Sequence, residues 1–356
     1  MKIRKLWAML LAAAMVFTLA ACGPTNEEPS TAPSETVSES PAPVESEAPS
    51  PSQSAQRTHV SLAVLSGPTG VGAAKLLSDS DAGTTLNDYS DYLVASDNNE
   101  LMSGLTGGTI DIATVASNMA VNLYNKTEGG IKIIALGTQG VLHILEGGGT
   151  ENIQSVSDLA GKTIYATGQG ANPEYILRHL LTENGLDPDK DVEIVFADPT
   201  EISAKLLSGE IDTAMLPVPA ATAAIAKSQG SVRDAIDLTQ AWNDLDNGSQ
   251  LIMSAVVARA DFIEEHPQAV QTFLREYEGS VTYVRDNPEL AGELVAQLGI
   301  APSATIAQQA IPQCNLVFLS GADMKPAISG YFEVLYDIDP TAVGGALPDD
   351  GIYYVP

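Results

Sequence analysis

Two stretches in different halves of the chain share one grammar: "GLTGGTIDIATVAS" (104–117) and "LLSGEIDTAMLPVP" (206–219). Each reads as a helix end, a glycine, a polar residue, Ile-Asp, a small-residue strand and a loop. Glycine adopts the left-handed backbone that closes a helix, and the apolar run after it has the length of a buried strand. A chain that writes this turn once in each half is what two similar α/β lobes with a site between them would produce. The rest follows suit: from Thr58 onward short apolar runs alternate with helix-like stretches, the pattern of an α/β protein. No repeat period points to a solenoid.

Strands are expected at 59–65, 91–96, 110–116, 131–137, 140–147, 162–167, 192–197, 211–217 and 249–259. Helical composition marks 71–80, 100–108, 172–184 and 200–210, and the last hundred residues read as mainly helical, at 267–285, 288–298, 303–310 and 323–337. Asn172 suits an N-cap, Pro173 the first helical position and Gly185 the stop, while Pro267 and Pro288 open the two long C-terminal helices.

The N-terminus belongs to no lobe. Lys2, Arg4 and Lys5 precede an apolar run from Leu6 to Ala20, and the run ends in Leu19-Ala20-Ala21-Cys22. A charged start, a short apolar core and small residues describe a secretory signal peptide over 1–21, too short for a membrane span. The ending resembles a bacterial lipobox, in which Cys22 becomes the lipidated first residue. Residues 22–56, mostly Pro, Ser and Glu, cannot bury enough apolar surface to fold and read as a disordered tether. The expected location is extracytoplasmic, lipid-anchored to the outer face of the cell membrane. Cys314, the only other cysteine, is then left without a partner, so no disulfide framework is available.

The charge is −28, and residues 57–356 hold 14 basic against 39 acidic residues. A field of that sign opposes binding to nucleic acid or to an anionic membrane surface and disfavours a multiply charged anionic ligand. "LSGPTGVGAAKLL" (65–77) has the glycine spacing of a Walker A loop. Such a loop needs a Lys for the terminal phosphates and a Ser or Thr for magnesium, and Ala73-Ala74 supply neither. What survives is a Gly-Pro-Thr-Gly turn between a strand and a helix.

Three stretches carry a resemblance: "SVSDLAGKTIYATGQGANPEYILRHLLTENGL", "LLSGEIDTAML" and "HPQAVQTFLREYEGSVTYVRDNPELAGELVAQLG". Over roughly 57–340 the chain resembles the extracytoplasmic solute-binding proteins of ABC importers, in the nitrate/sulfonate/taurine and thiamine-pyrimidine-precursor group. The resemblance implies a periplasmic-binding-protein-like (type II) fold, two α/β lobes joined by two crossover strands. Carried onto this chain, lobe one is 57–143 plus 256–356, lobe two is 144–255, and the crossovers fall near 140–147 and 250–257. It implies as partners a small solute, an ABC permease and its ATPase, with the chain a monomer that uses no cofactor.

Ligands of α/β lobes gather at the C-terminal ends of strands, beside helix N-termini. That rule selects Gly67, Pro68, Thr69 and Gly70 after the first strand, Ser117 and Asn118 after 110–116, and Gly168, Gln169, Gly170, Ala171 and Asn172 after 162–167. It also selects Leu216 and Pro217, with Gln139 just before the first crossover. A neutral, zwitterionic or monoanionic solute is expected, since these loops offer few fixed cations. His59, His143, His179 and His266 lack zinc-site spacing, no G-x-S-x-G elbow is present, and neither cysteine has a local histidine motif, so neither a metal nor a catalytic residue is assigned. His179 reads as a helix-surface or partly buried histidine; Trp242 reads as packing or as a stacking surface. Two other classes share the pattern: a lyase or dehydratase on the same scaffold, and a surface sensor that works without a permease.

Overall fold

The structure is a computed structural model that describes residues 57–356, so the expected signal peptide, lipidated Cys22 and tether lie outside the described residues. The chain opens with β1 (Leu62–Leu65), α1 (Pro68–Val71), α2 (Ala74–Asp81), β2 (Leu93–Ala95), α3 (Asn98–Gly107), β3 (Ile112–Ala116), α4 (Ser117–Lys126) and β4 (Ile131–Gln139). It crosses to β5 (Leu142–Glu146), β6 (Thr163–Ala166), α5 (Asn172–Glu183), β7 (Glu193–Phe196) and α6 (Pro199–Ser208). These are followed by β8 (Thr213–Pro217), α7 (Ala220–Lys227), β9 (Arg233–Asp237) and α8 (Leu238–Asn243). The return is β10 (Ile252–Arg259), α9 (Ala260–Glu265), α10 (Pro267–Asp286), α11 (Pro288–Gln297), α12 (Ala304–Ala310), β11 (Leu316–Ser320) and α13 (Met324–Ile338).

These strands form two sheets, one per lobe, ordered β11-β4-β10-β3-β1-β2 and β7-β6-β8-β5-β9. Each contains the same parallel triplet, β3-β1-β2 in the first and β8-β6-β7 in the second. An antiparallel strand flanks each triplet on the same side, β10 beside β3 and β5 beside β8. The repeated sequence grammar sits at the same point of both. Gly108 closes α3 at φ +75° and Gly209 closes α6 at φ +74°, and the next residue donates back to Gly104 O and Lys205 O at 2.9 and 3.0 Å. The central strands are buried on both faces and accordingly apolar throughout, as in Leu62-Ala63-Val64 and Ile112-Ala113. On α10 the buried residues Val270, Phe273, Tyr277, Val281 and Val284 recur every three to four positions, the stripe of a core-facing helix.

Three expectations need correction. The helix expected at 71–80 begins only at Ala74, as α2, and is preceded by a separate single turn, α1. Ser280 of α10 inserts its hydroxyl where the helical bond would run, donating to Gly72 O at 2.7 Å and accepting from Leu76 N at 3.0 Å. "GPTG" is therefore a single helical turn and not a loop. The crossovers are shorter than expected. β5 lies wholly in the second sheet, so the chain crosses at Gly140-Val141 and lobe two begins before residue 144, and β10 belongs to the first sheet from Ile252. Finally α7, β9 and α8 fall in a region with no assignment, and β11 lies within the span read as helical. β9 and β11 are edge strands with one buried residue each; β9 (Arg-Asp-Ala-Ile-Asp) shows no apolar run, whereas β11 carries one in Leu316-Val317-Phe318-Leu319 that the helical reading of the C-terminal hundred residues passed over.

Candidate functional site

Register places the site. At one edge of the first sheet Ala116, the last residue of β3, pairs with Ser254, and Gln139, the last of β4, pairs with Ile252. In the second sheet Leu142, the first residue of β5, pairs with Pro217, the last of β8. Only Gly140 and Val141 separate β4 from β5. The loops after β1 and β3 therefore face those after β6 and β8 across a two-residue link. Gly140 is held tightly there: a Cβ would lie 2.3 Å from Thr239 Oγ1 and 2.6 Å from Leu251 Cδ2, and its carbonyl accepts from Asn315 Nδ2 at 2.7 Å.

The lobes touch at this edge. Asn172, first residue of α5, donates from Nδ2 to the Oγ of Ser117, first residue of α4, at 3.4 Å. Both are interior, at 3% and 0% exposure, and Asn172 Oδ1 has no partner in the protein. A buried amide oxygen left bare costs about 1–3 kcal/mol, so a ligand donor would satisfy it. Two further bonds cross between lobes: Thr222 Oγ1 of α7 donates to Gln313 Oε1 at 2.8 Å, and the Tyr175 hydroxyl of α5 reaches Asp339 Oδ2 at 3.3 Å.

Caps follow a pattern. Helices after the outer triplet strands are capped by aspartate: Asp97 accepts from Asn99 N and Glu100 N at the start of α3, and Asp198 from Thr200 N at the start of α6. Those after the inner strands, α4, α5 and α7, receive no side-chain cap. Ala116, Ala171 and Pro219 occupy their N-cap positions. An uncapped N-terminus keeps N–H donors and a partial positive charge available for a ligand. α1 is uncapped too, but it is a single turn and contributes wall, not field.

A crevice of about 400 Å³ opens between the lobes beside the starts of α6 and α7, walled by Pro68 and Pro302 on one side and Pro199, Pro217, Pro219 and Ala223 on the other; the starts of α4 and α5 do not line it. Gly67 lines it, and Thr69 is half-buried on α1. Gly70 is buried, with no room for a side chain, since a Cβ would meet Leu65 O at 2.2 Å. Leu216 is in the core of the second lobe, so only its main chain can reach the cleft. Gln139 is half-buried, with its side chain 3.4 Å from Gln250 and its N–H on Asn315 O. The glycine loop divides. Asn172 points inward, whereas Gln169 and Gly170 are exposed and Ala171 is half-buried at the N-cap. Asn118 and Gly170 line a separate outer cleft of about 540 Å³. The expected N-cap role of Asn172 is corrected: the helix begins one residue earlier, and the Asn172 amide reaches Ser117 instead of its own backbone.

Sequence reasoning missed Thr222, Gln313, Tyr175, Asp339 and Pro302. Three of these come from the C-terminal part of the chain, where no local motif marks them. Trp242 is packing: it is buried, its ring lies 5.5 Å from Tyr331 and 4.7 Å from His179. Burial lowers the His179 pKa. Burial alone would also lower that of His143, but the Asp234 carboxylate 2.9 Å from Nδ1 overrides it and the pKa is raised. Burial raises the Tyr175 hydroxyl, with Asp339 adding to it. Among the described residues no cluster of His, Cys, Asp and Glu could hold a metal ion. Lys75, nearest the lost Walker lysine, instead pairs with Asp79 and lies over the Tyr283 ring.

Residues 148–291 match the family model described as NMT1/THI5 like. A Brucella abortus protein whose name calls it a binding protein is 25% identical over 196 residues, 55% of this chain and 57% of its own length. The chain thus aligns with little more than half the length of that curated relative. Among solved structures, an ABC transporter protein from Parabacteroides distasonis superimposes with a TM-score of 0.70 at 23% identity, over 84% of this chain and 99% of that one. The periplasmic aliphatic sulphonate binding protein SsuA of Escherichia coli gives 0.66 at 17%, over 84% and 92%. The fold is that of the two-lobe periplasmic binding proteins.

Proposed function

We propose that this chain is the solute-binding receptor of an ABC importer. It captures a small solute between its lobes and delivers it to a membrane permease coupled to an ATPase. The observation that carries this reading is the Ser117–Asn172 contact: two uncapped helix starts from opposite lobes meeting at a bare, buried amide oxygen. Such ends bind an acceptor or anionic group of a solute without any fixed cation. The sulphonate-binding neighbour supports a sulfonate-like solute, and the sequence resemblance adds pyrimidine-like ones. The proline and alanine walls of the crevice favour a solute with an apolar portion over nitrate.

No covalent chemistry is part of this reading. Binding works because the closed form makes contacts to the solute that an open form does not, so the solute shifts the lobes toward closure. Gly140-Val141 and residues 244–251 are the two links about which the lobes turn. In the cell the chain is a monomer held by lipid on Cys22 to the outer face of the membrane, with 22–56 as the tether.

Thermal-shift measurements of the purified chain against alkanesulfonates, taurine, nitrate, aminopyrimidines and amino acids test the proposal. Stabilisation by an organic member of the panel is expected. Absence of stabilisation by any of them, together with turnover of one, would replace the receptor with an enzyme on the same scaffold.

A further inference from the structure

The Tyr175 hydroxyl carries one proton and has two acceptors at the same distance. Gly170 O, in the glycine loop of its own lobe, lies at 3.3 Å, and Asp339 Oδ2, in the other lobe, also at 3.3 Å. A phenol donates only once. We propose that Tyr175 is a positioning residue that couples the glycine loop to lobe closure, donating to Gly170 when the lobes part and to Asp339 when they meet. This rests on the reading of a receptor whose lobes close on a solute, and adds the device that senses closure.

Both acceptors are held in place by other bonds. Asp339 uses its second oxygen to accept from Thr341 N at 2.9 Å and Thr341 Oγ1 at 2.7 Å, capping the turn Pro340–Val343. That turn is fastened to the first lobe, since Asn122 and Asn125 of α4 donate to Ala342 O and Val343 O at 2.8 and 2.9 Å. On the other side Gly170 N donates to Glu174 Oε2 at 2.7 Å, and Glu174 is itself held by Arg178 at 2.8 Å. Clefts of about 530 and 540 Å³ flank the contact, and Gly170 and Tyr175 line both, so it bridges the lobes between two open grooves, one helical turn from the Ser117–Asn172 bond and beside the packing of α5 on α13. When Asp339 withdraws, the buried phenol keeps a partner in Gly170 and is never left unpaired.

The test is a mutant cycle on the full-length chain with no solute added, read by small-angle X-ray scattering. Tyr175→Phe removes the proton, and Asp339→Ser keeps a cap on Thr341 but cannot reach Tyr175. Asp339→Asn keeps the cap through its oxygen and offers an N–H to the Tyr175 oxygen, which then donates to Gly170. The expected result is an equal increase in radius of gyration for Tyr175→Phe and Asp339→Ser. The double variant then shows no further increase, Asp339→Asn matches the parent, and melting transitions stay cooperative throughout. An unchanged radius in Tyr175→Phe, additive shifts in the double variant, or Asp339→Asn behaving as Asp339→Ser would overturn the coupling. Should Asp339→Ser fail to fold, Tyr175→Phe decides alone. Loss of the coupling would leave the receptor reading standing, because that is judged by thermal stabilisation of the unaltered chain.

Discussion

The two lobes are built from one plan and depart from it in instructive places. Both have an inner strand pair and an outer strand in the order β3-β1-β2 and β8-β6-β7. In both an aspartate caps the helix after the outer strand, and no side chain caps the helices after the inner pair. They differ away from the cleft: the first sheet gains β4 and β11 and a coat of C-terminal helices, while the second ends at β9. Scaffolding has diverged where the lobes meet solvent or each other's flanks. What the lobes share is the set of helix starts that face the link. An omitted cap costs about 1 kcal/mol, and it is omitted at matching positions in two lobes of different sequence. A shared ligand accounts for that better than drift does.

The comparison breaks most readily at the sheet ends remote from the link, where each lobe carries an ion pair of different burial. Arg233 donates to Glu146 at 2.6 Å with the Glu146 side chain 2% exposed, whereas Arg259 meets Asp111 at 3.0 Å with Asp111 13% exposed. Arg233→Met leaves a buried carboxylate with its bonds from Thr150, Asn152 and Ile153 but no cation, and is expected to cost up to about 3 kcal/mol in urea unfolding, and Arg259→Met clearly less. Equal losses would show that burial does not separate the pairs. Burial alone would raise the Glu146 pKa, but bonds from Thr150, Asn152, Arg233 and Ile153 outweigh it and the pKa is lowered. Glu146 therefore adds stability above the unfolded carboxylate pKa that is lost as pH falls through the lower folded value. In Arg233→Met, denaturation midpoints measured from neutral pH down to acid should fall less steeply than in the parent.

The capping asymmetry gives a smaller effect. Asp97→Ala and Asp198→Ala should each lower stability by about 1 kcal/mol, and Asp97→Ala, whose helix does not line the crevice, should leave the thermal-shift response to the solute panel unchanged. A lost response in Asp97→Ala would mean that the outer helix of the first lobe also faces the solute. Thr69→Val, next to the crevice-lining Pro68, should weaken the response to whichever panel member stabilises the parent, with the unliganded melting point unmoved. Full retention of affinity would leave "GPTG" a structural turn with no part in binding.

The fold was legible where chemistry is local. The glycine stops at Gly108 and Gly209, the prolines at Pro267 and Pro288, and the apolar central strands all announce themselves in the sequence, and the structure has them in those roles. It was illegible where a partner distant in the chain decides. Ser280 breaks the helix at Gly72 from another helix, and β9, charged and with one buried residue, becomes a strand by pairing with the edge of β5. The candidate site divides the same way. Strand-end logic picked Ser117 and Asn172, which meet, and it could not separate Asn172 from its exposed neighbours Gln169 and Gly170. Asp339 and Gln313 follow no motif, because their role comes from lobe packing alone.

The central claim is that helix starts left uncapped in both lobes hold the solute, and one substitution addresses it directly. Ala171 sits at the N-cap of α5 in an extended conformation, φ −138° and ψ 177°, that suits an aspartate. Ala171→Asp supplies the missing cap and places a carboxylate where the acceptor group of the solute would lie. Isothermal titration with the panel member that most stabilises the parent should show binding reduced at least tenfold, while the unliganded variant melts at or above the parent temperature. Undiminished affinity in a variant with a raised melting temperature would mean that the solute does not use these helix ends.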